Sequence, residues 1–267
     1  MLDEQALEQA LAADPDAALA LLAELLSATD ERLRAAAAAL ASRLVLDRSR
    51  VGRSTRRGPG RPRLVSASSG GDLDVDASLE AITAASAQGR PPSVDELVAR
   101  DWGRPDLALC VVVDHSGSMS GSRLAAAAVT AAACAQRAPA EHAVLAFARD
   151  VQVIRSMTSH ATPTVTVERV LRLKGHGMTG LGAALRAAHE QLGRARAARR
   201  VVVLLSDCRA TDEDDAVPAA RALPELVILA PQDDHDEADR LALVSGARCA
   251  VLAGASSAPG LLLDLLG

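Results

Sequence analysis

From residue 107 to the end of the chain, short apolar runs alternate with longer stretches whose apolar positions recur at helical spacing. Such alternation predicts strands over 107–113, 143–147, 151–154, 201–205, 226–229 and 249–252, and helices over 122–137, 164–171, 181–192, 212–222, 237–245 and 259–266. The strands over 107–113 and 201–205 are apolar at every position. A strand with no polar face is buried on both sides. The expected architecture is therefore α/β: a doubly wound, mostly parallel, Rossmann-like sheet with helices on both faces.

Ahead of residue 106 the pattern changes three times. Residues 4–45 carry leucines and alanines at helical spacing, interrupted at Asp14-Pro15-Asp16 and at Ser27-Ala28-Thr29-Asp30. Two or three short helices follow from this, with Asp14 and Thr29 at helix starts. From Asp47 to Gly71 the periodicity gives way to Arg, Ser, Gly and Pro, too polar a stretch to offset the entropy of ordering it. Next comes Gly71-Asp72-Leu73-Asp74, leading into a helix that reaches about Ala87 with Ser78 as cap candidate, and then a turn of helix over 93–99. The chain thus divides into a helical N-terminal region (1–46), a flexible Arg/Gly/Pro linker (47–71), a helical lead-in (72–105) and the α/β domain (106–267).

Composition narrows what such a chain can do. Trp102 and Phe147 are its only aromatic residues, so the core is built from Ala, Leu and Val, and base stacking is not a workable mode of binding. The formal net charge of −5 is uneven, because residues 43–63 hold eight arginines against Asp47, a local +7 that leaves −12 on the remainder. That distribution describes a basic linker on an acidic body and argues against general nucleic-acid binding. Within the linker, Gly60-Arg61-Pro62 has the core of a minor-groove AT-hook, which keeps a DNA contact through residues 43–63 open. Cys110, Cys134, Cys208 and Cys249 are widely spaced, so neither a zinc site nor a disulfide framework is indicated. With no basic-then-apolar leader and no apolar run of ~18–20 residues, the expectation is a soluble cytoplasmic protein without membrane contact.

In open α/β sheets ligands bind beyond the carboxyl ends of the strands, where strand order reverses. Two acids stand at such ends: Asp114 directly follows one fully apolar strand, and Asp207 follows the other after Ser206. Beyond Asp114 the chain reads His115-Ser116-Gly117-Ser118-Met119-Ser120-Gly121, a loop of small residues able to turn its hydroxyls toward one point. A third loop, Gly175-His176-Gly177-Met178-Thr179-Gly180, presents Thr179 immediately before a helix. Oxygen donors of this kind suit a hard cation.

Asp114-x-Ser116-x-Ser118, Thr179 and Asp207, in this order and at these separations, resemble the metal-ion-dependent adhesion site (MIDAS) of the von Willebrand factor A (VWA) family, of the bacterial MoxR-associated, magnesium-chelatase D or CoxE-like type. The likeness covers roughly residues 106–267. It implies that Ser116, Ser118 and Thr179 offer hydroxyls to Mg²⁺ or Mn²⁺, with Asp114 and Asp207 bound directly or through water. It also implies a non-enzymatic adaptor that captures a partner's Asp or Glu, a MoxR-type AAA+ ATPase being one such partner, while residues 1–45 dock elsewhere. Two positions depart from the family. Ser206-Asp207-Cys208 stands where Thr-Asp-Gly is frequent, which would narrow the loop or sensitise it to oxidation, and His115 is a bulky choice beside Asp114.

Other readings of the same residues are a metal-assisted hydrolase or phosphotransferase, or a DNA-associated regulator acting through the arginine segment. Gly175 to Gly180 matches G-x-G-x-x-G but not in the first strand-to-helix turn. Asp114-His115-Ser116 lacks the second acid of an aspartyl phosphotransferase, and Ser116 lacks a G-x-S-x-G elbow. Asp72, Asp74 and Asp76 alternate like the start of a calcium loop, yet Ala77 and Thr83 occupy the positions where an EF-hand needs Gly and Glu.

Overall fold

Residues 107–114 pack in two directions at once. Leu109, Val111 and Val113 enter one buried cluster while Ala108, Cys110 and Val112 enter another, as the two-residue period of a strand demands when both faces of its sheet are covered. The computed structural model describes residues 10, 13–25, 45–46, 49, 62–69, 72–102, 107–116, 121–159, 161–173, 177–212 and 214–266. They fall into two compact units, one of residues 54–106 and one of residues 1–53 with 107–267.

The first described element, α1 (Pro15–Leu25), belongs to the larger unit. Asp14 caps it, its Oδ1 accepting from the amides of Asp16 and Ala17 at 3.1 and 3.0 Å, with Pro15 at the first helical position where a missing N–H does no harm. The second start, at Thr29, lies outside the described residues.

The smaller unit contains β1 (Pro62–Ser66), β2 (Asp72–Leu73), α2 (Val75–Ala87) and β3 (Val98–Trp102), with the strands antiparallel in the order β1-β3-β2. Here the structure differs from the sequence reading. A five-residue strand sits inside the segment assigned to the linker, and the helical lead-in contains two strands. Both depend on pairing with β3, dozens of residues away in β1's case, and averaging over the Arg-rich composition hides so short a partner. The cap of α2 is Asp74, which accepts from the Ala77 amide at 3.1 Å and pairs with Arg100 at 2.6 Å. Ser78 is instead buried, its hydroxyl donating to the Val98 carbonyl and accepting from the Val98 amide at 3.1 and 2.9 Å, which ties the helix to the sheet.

The larger unit continues with β4 (Leu107–Asp114), α3 (Gly121–Arg137), β5 (His142–Phe147), β6 (Val151–Arg155), α4 (Pro163–Leu171), α5 (Leu181–Gly193), β7 (Arg199–Leu205), α6 (Ala216–Arg221), β8 (Leu226–Pro231), α7 (Asp236–Ser245), β9 (Arg248–Leu252) and α8 (Ala258–Leu266). The sheet order is β6-β5-β4-β7-β8-β9, parallel except for the antiparallel edge β6. Residues of α1, α3, α4 and α8 share one core, and residues of α5, α6 and α7 share the other. The fold is thus doubly wound α/β. Helix α6 is shorter than its sequence pattern suggested, because Asp215 caps it through the Val217 amide at 2.9 Å.

Alanines at 125–128 and 131–133 bury α3 on nearly every side. A helix apolar all round needs cover all round, and α1 supplies part of it through Leu19, Leu22 and Ala23. The apolar face of α1 is therefore buried within its own unit. Asp16 strengthens the contact by accepting from the Ser256 amide and hydroxyl at 2.7 and 2.9 Å. That approach requires Gly254, where a Cβ would lie 2.2 Å from the Asp16 carboxylate. Val45 is also buried, and Gln136 of α3 donates to the Leu46 carbonyl and the Ser49 hydroxyl. Residues 50–61, most of the arginine segment, lie outside the described residues. No helix among the described residues is long and apolar enough to cross a membrane.

His142 is buried on β5, its Nδ1 against the Ala138 carbonyl at 2.9 Å and its own carbonyl accepting from Arg155. Burial, and secondarily the Arg155 cation, pull its pKa down to about 4. Because the unfolded chain binds this proton near 6.5, stability should be full above that pH and decline as pH falls toward 4. Urea unfolding midpoints across that range test this, and His142→Asn should flatten the decline.

Candidate metal centre

Strand order reverses at β4. The chain leaves β4 through α3 to reach β5 on one side, whereas β7 and β8 build outward on the other, so the carboxyl ends of β4 and β7 border the switch-point crevice. The parallel register pairs Val113 with Leu205, which sets the next residues, Asp114 and Ser206, side by side. Ser206 Oγ donates to Asp114 Oδ2 at 2.7 Å, the Ser116 amide donates to Asp114 Oδ1 at 2.9 Å, and Ser206 Oγ in turn accepts from the Cys208 amide at 2.9 Å. Asp207 accepts from the Arg209 amide at 3.0 Å.

The loop bearing Thr179 is laced to the same end of the sheet from two directions. Beyond β5, the Ala148 carbonyl accepts from the Gly180 amide at 2.7 Å, while the Phe147 carbonyl at the end of β5 accepts from the His115 amide of the Asp114 loop at 2.9 Å. Beyond β7, Thr211 Oγ1 accepts from the Thr179 amide at 2.7 Å, while the Thr211 amide donates to the Thr179 carbonyl at 3.2 Å. Thr179 itself is buried. Ser116 is half-buried, and Ser118 lies outside the described residues.

Asp207 carries the electrostatic signature of the site. Burial raises its pKa, and the negative charges of Asp114 and Asp234 push the same way, opposed by the Arg209 amide and the Arg123 cation. Arg123, in the first turn of α3, stands 3.8 Å from Asp207 and 3.7 Å from Asp233. Sequence reasoning had not singled out Arg123, Ser206 or Thr211. Only Arg123 left a signal, since a cation at the positive end of a helix is locally unfavourable unless acids draw it there.

Cys208 adopts φ +60°, the left-handed conformation that glycine accepts freely and other residues resist. The departure from Thr-Asp-Gly therefore changes strain more than width. Its thiol is buried and packs in the second core, and burial pushes its pKa up, so it is held protonated and unreactive rather than sensitised to oxidation.

Among the described residues no group of three or more His, Cys, Asp or Glu is arranged to hold a metal ion. What the crevice offers is two carboxylates, close enough for one to raise the other, with hydroxyl donors around them. Carboxylate and hydroxyl oxygens fit a hard dication such as Mg²⁺ or Mn²⁺, and fit zinc or copper poorly.

The family described as VWA domain containing CoxE-like protein matches residues 37–253. The chain belongs to this family. No curated protein matches it significantly. Among solved structures, the VWA fold is similar to manganese-loaded TRAP protein from Plasmodium vivax, at 15% identity and TM-score 0.50 over 61% of this chain and 74% of that one. It also resembles the conserved hypothetical protein BatB from Bacteroides thetaiotaomicron, at 15% identity and TM-score 0.49 over 60% and 97%. A third likeness, to a von Willebrand factor type A protein from Catenulispora acidiphila, has 16% identity and TM-score 0.47 over 62% of this chain but only 43% of that one. At these identities the likeness is one of fold.

Two outcomes are expected of variants in this VWA domain. Cys208→Gly should be at least as stable as Cys208→Ala, reversing the usual ~0.5–1 kcal/mol penalty of glycine against alanine, because only glycine relieves the positive φ. Thermal unfolding of the two proteins makes the comparison. Asp207→Asn should raise the Tm of the metal-free protein, since it removes a charge that burial and Asp114 disfavour; an unchanged or lower Tm would contradict that electrostatic account.

Proposed function

We propose that this VWA protein is a non-enzymatic adaptor in which Asp114, Ser116, Ser118, Thr179 and Asp207 hold Mg²⁺ or Mn²⁺ at a MIDAS and the site captures an acidic residue of a partner protein. One observation carries the reading. Two carboxylates from separate strands meet at the switch-point crevice among hydroxyl and amide donors, and Asp114 raises the pKa of Asp207.

Bound there, a dication would keep a coordination position open for a further anionic oxygen, because neutral hydroxyls are weak ligands and two carboxylates leave it under-satisfied. Asp114 is oriented for that task by the Ser116 amide and the Ser206 hydroxyl, which still leave lone pairs on both of its oxygens. Thr179 is held in place by Thr211. The same contacts speak against hydrolysis: Ser206 spends its proton on Asp114, and Cys208 is buried and protonated, so neither is set up as a nucleophile. Cytoplasmic residence and a MoxR-type AAA+ ATPase as partner are part of the same proposal.

The test is calorimetric titration of Mg²⁺ and Mn²⁺ into the chain, with binding expected for the wild type and lost by at least tenfold in Asp114→Ala and Thr179→Ala. Arg123→Ala should tighten the metal, since it removes a competing cation. Association with a purified MoxR-type ATPase from the same organism should disappear with chelator. Metal binding that survives all the ligand variants, or association indifferent to chelator, overturns the proposal.

A further inference from the structure

Beside Asp114 and Asp207 opens a cleft of about 580 Å³, within the range of built ligand sites. Val113, Leu205, Leu229 and Leu252, at or near the carboxyl ends of four parallel strands, line it. One wall is the face of α3 at Ala126 and Ala127, where methyl groups stand in place of the larger side chains that would close it. Protein interiors are packed to near-crystalline density, so a cleft of this volume, lined by apolar side chains on the strand ends and by polar and charged ones at its mouth, is shaped to be filled from outside. The mouth carries Asp114, Asp207 and Asp233 together with Arg123, which spans Asp207 and Asp233.

Charge and apolar surface are thus divided within one cavity, and the division selects the occupant. Three carboxylates and one guanidinium leave the bare mouth negative, so an anionic group is admitted only after a dication has been bound; Arg123 then adds a second positive charge on the cleft side. Deeper in, polar groups would go unsolvated against leucine and alanine. We propose that the cleft is the second subsite for the captured partner: a short peptide segment places its Asp or Glu at the Asp114–Asp207 mouth and lays an adjacent aliphatic side chain, Leu, Ile, Val or Met, on the strand ends. The acidic half of this recognition rests on the metal-capture reading; the aliphatic half does not.

An array of peptides Gly-Gly-X-Glu-Y-Gly-Gly, with X and Y varied over all amino acids, is probed with the full chain in Mg²⁺ and in chelator. Aliphatic residues at X or Y should improve binding about tenfold or more over glycine, the fold-change expected from burying one such side chain. Ala253→Trp and, independently, Gln232→Trp, both exposed at the mouth and outside the proposed ligand set, should abolish that preference while calorimetric Mg²⁺ affinity is unchanged. Equal binding of glycine and leucine peptides, no peptide binding at all, or a preference that survives both plugs overturns the proposal. An aliphatic preference without any need for Mg²⁺ supports the cleft and sinks the metal-capture reading. Mg²⁺-dependent Glu binding with no aliphatic preference does the reverse.

Discussion

Two carboxylates that arrive at one crevice from separate strands cannot both stay ionised there unless something positive or hydrogen-bond-donating stands between and around them. In this protein the donors are the Ser206 hydroxyl and the Ser116 and Arg209 amides, with Arg123 as the nearby cation. They offset the repulsion only in part, as the raised pKa of Asp207 records. On the proposed reading, a hard dication would complete what they leave undone, and neutral hydroxyls would not saturate it. The proposed affinity for a cation and the proposed capture of a further acid would then have one electrostatic origin.

The scaffold imposes that encounter. Parallel register aligns Val113 with Leu205, so the residues that follow emerge at the same height with no strand left to separate them. The alanine-rich helix α3 lies over the β4 end with little side-chain bulk, which lets α1 and α8 close against it and leaves the cleft open beside its first turns. On the far side of the crevice the chain leaves Asp207 through a left-handed Cys208, a conformation that persists because the Ser206 hydroxyl receives the Cys208 amide and the thiol is seated in the core. Strain beside a binding site, held by the surrounding packing, is a recurrent arrangement.

Much of this was legible in the order of residues. Unbroken apolar strands such as 107–113 can be buried only between two helical layers, so their period and length announced a parallel sheet, and a parallel sheet names its own binding edge. Asp114 and Asp207 stand out as candidates because they are the first acids past those strands. Shorter elements were not legible: β1 and β3 hold only five residues each, and their strand character comes from each other. Ser78 read as a cap because its type is right, but Asp74 alone has the reach to the free amide.

Local periodicity and residue type, then, determined the fold class, the edge of the sheet where chemistry would gather, and the candidate oxygen donors, because these follow from neighbours a few positions apart. Tertiary structure alone decided that Ser206 holds Asp114, that Arg123 faces Asp207, that Cys208 turns left-handed, that α1 covers α3, and that a cleft adjoins the acids. Each of these joins residues distant in the chain or sets a backbone angle through packing, and such relations exist only after the sheet has brought its strand ends together.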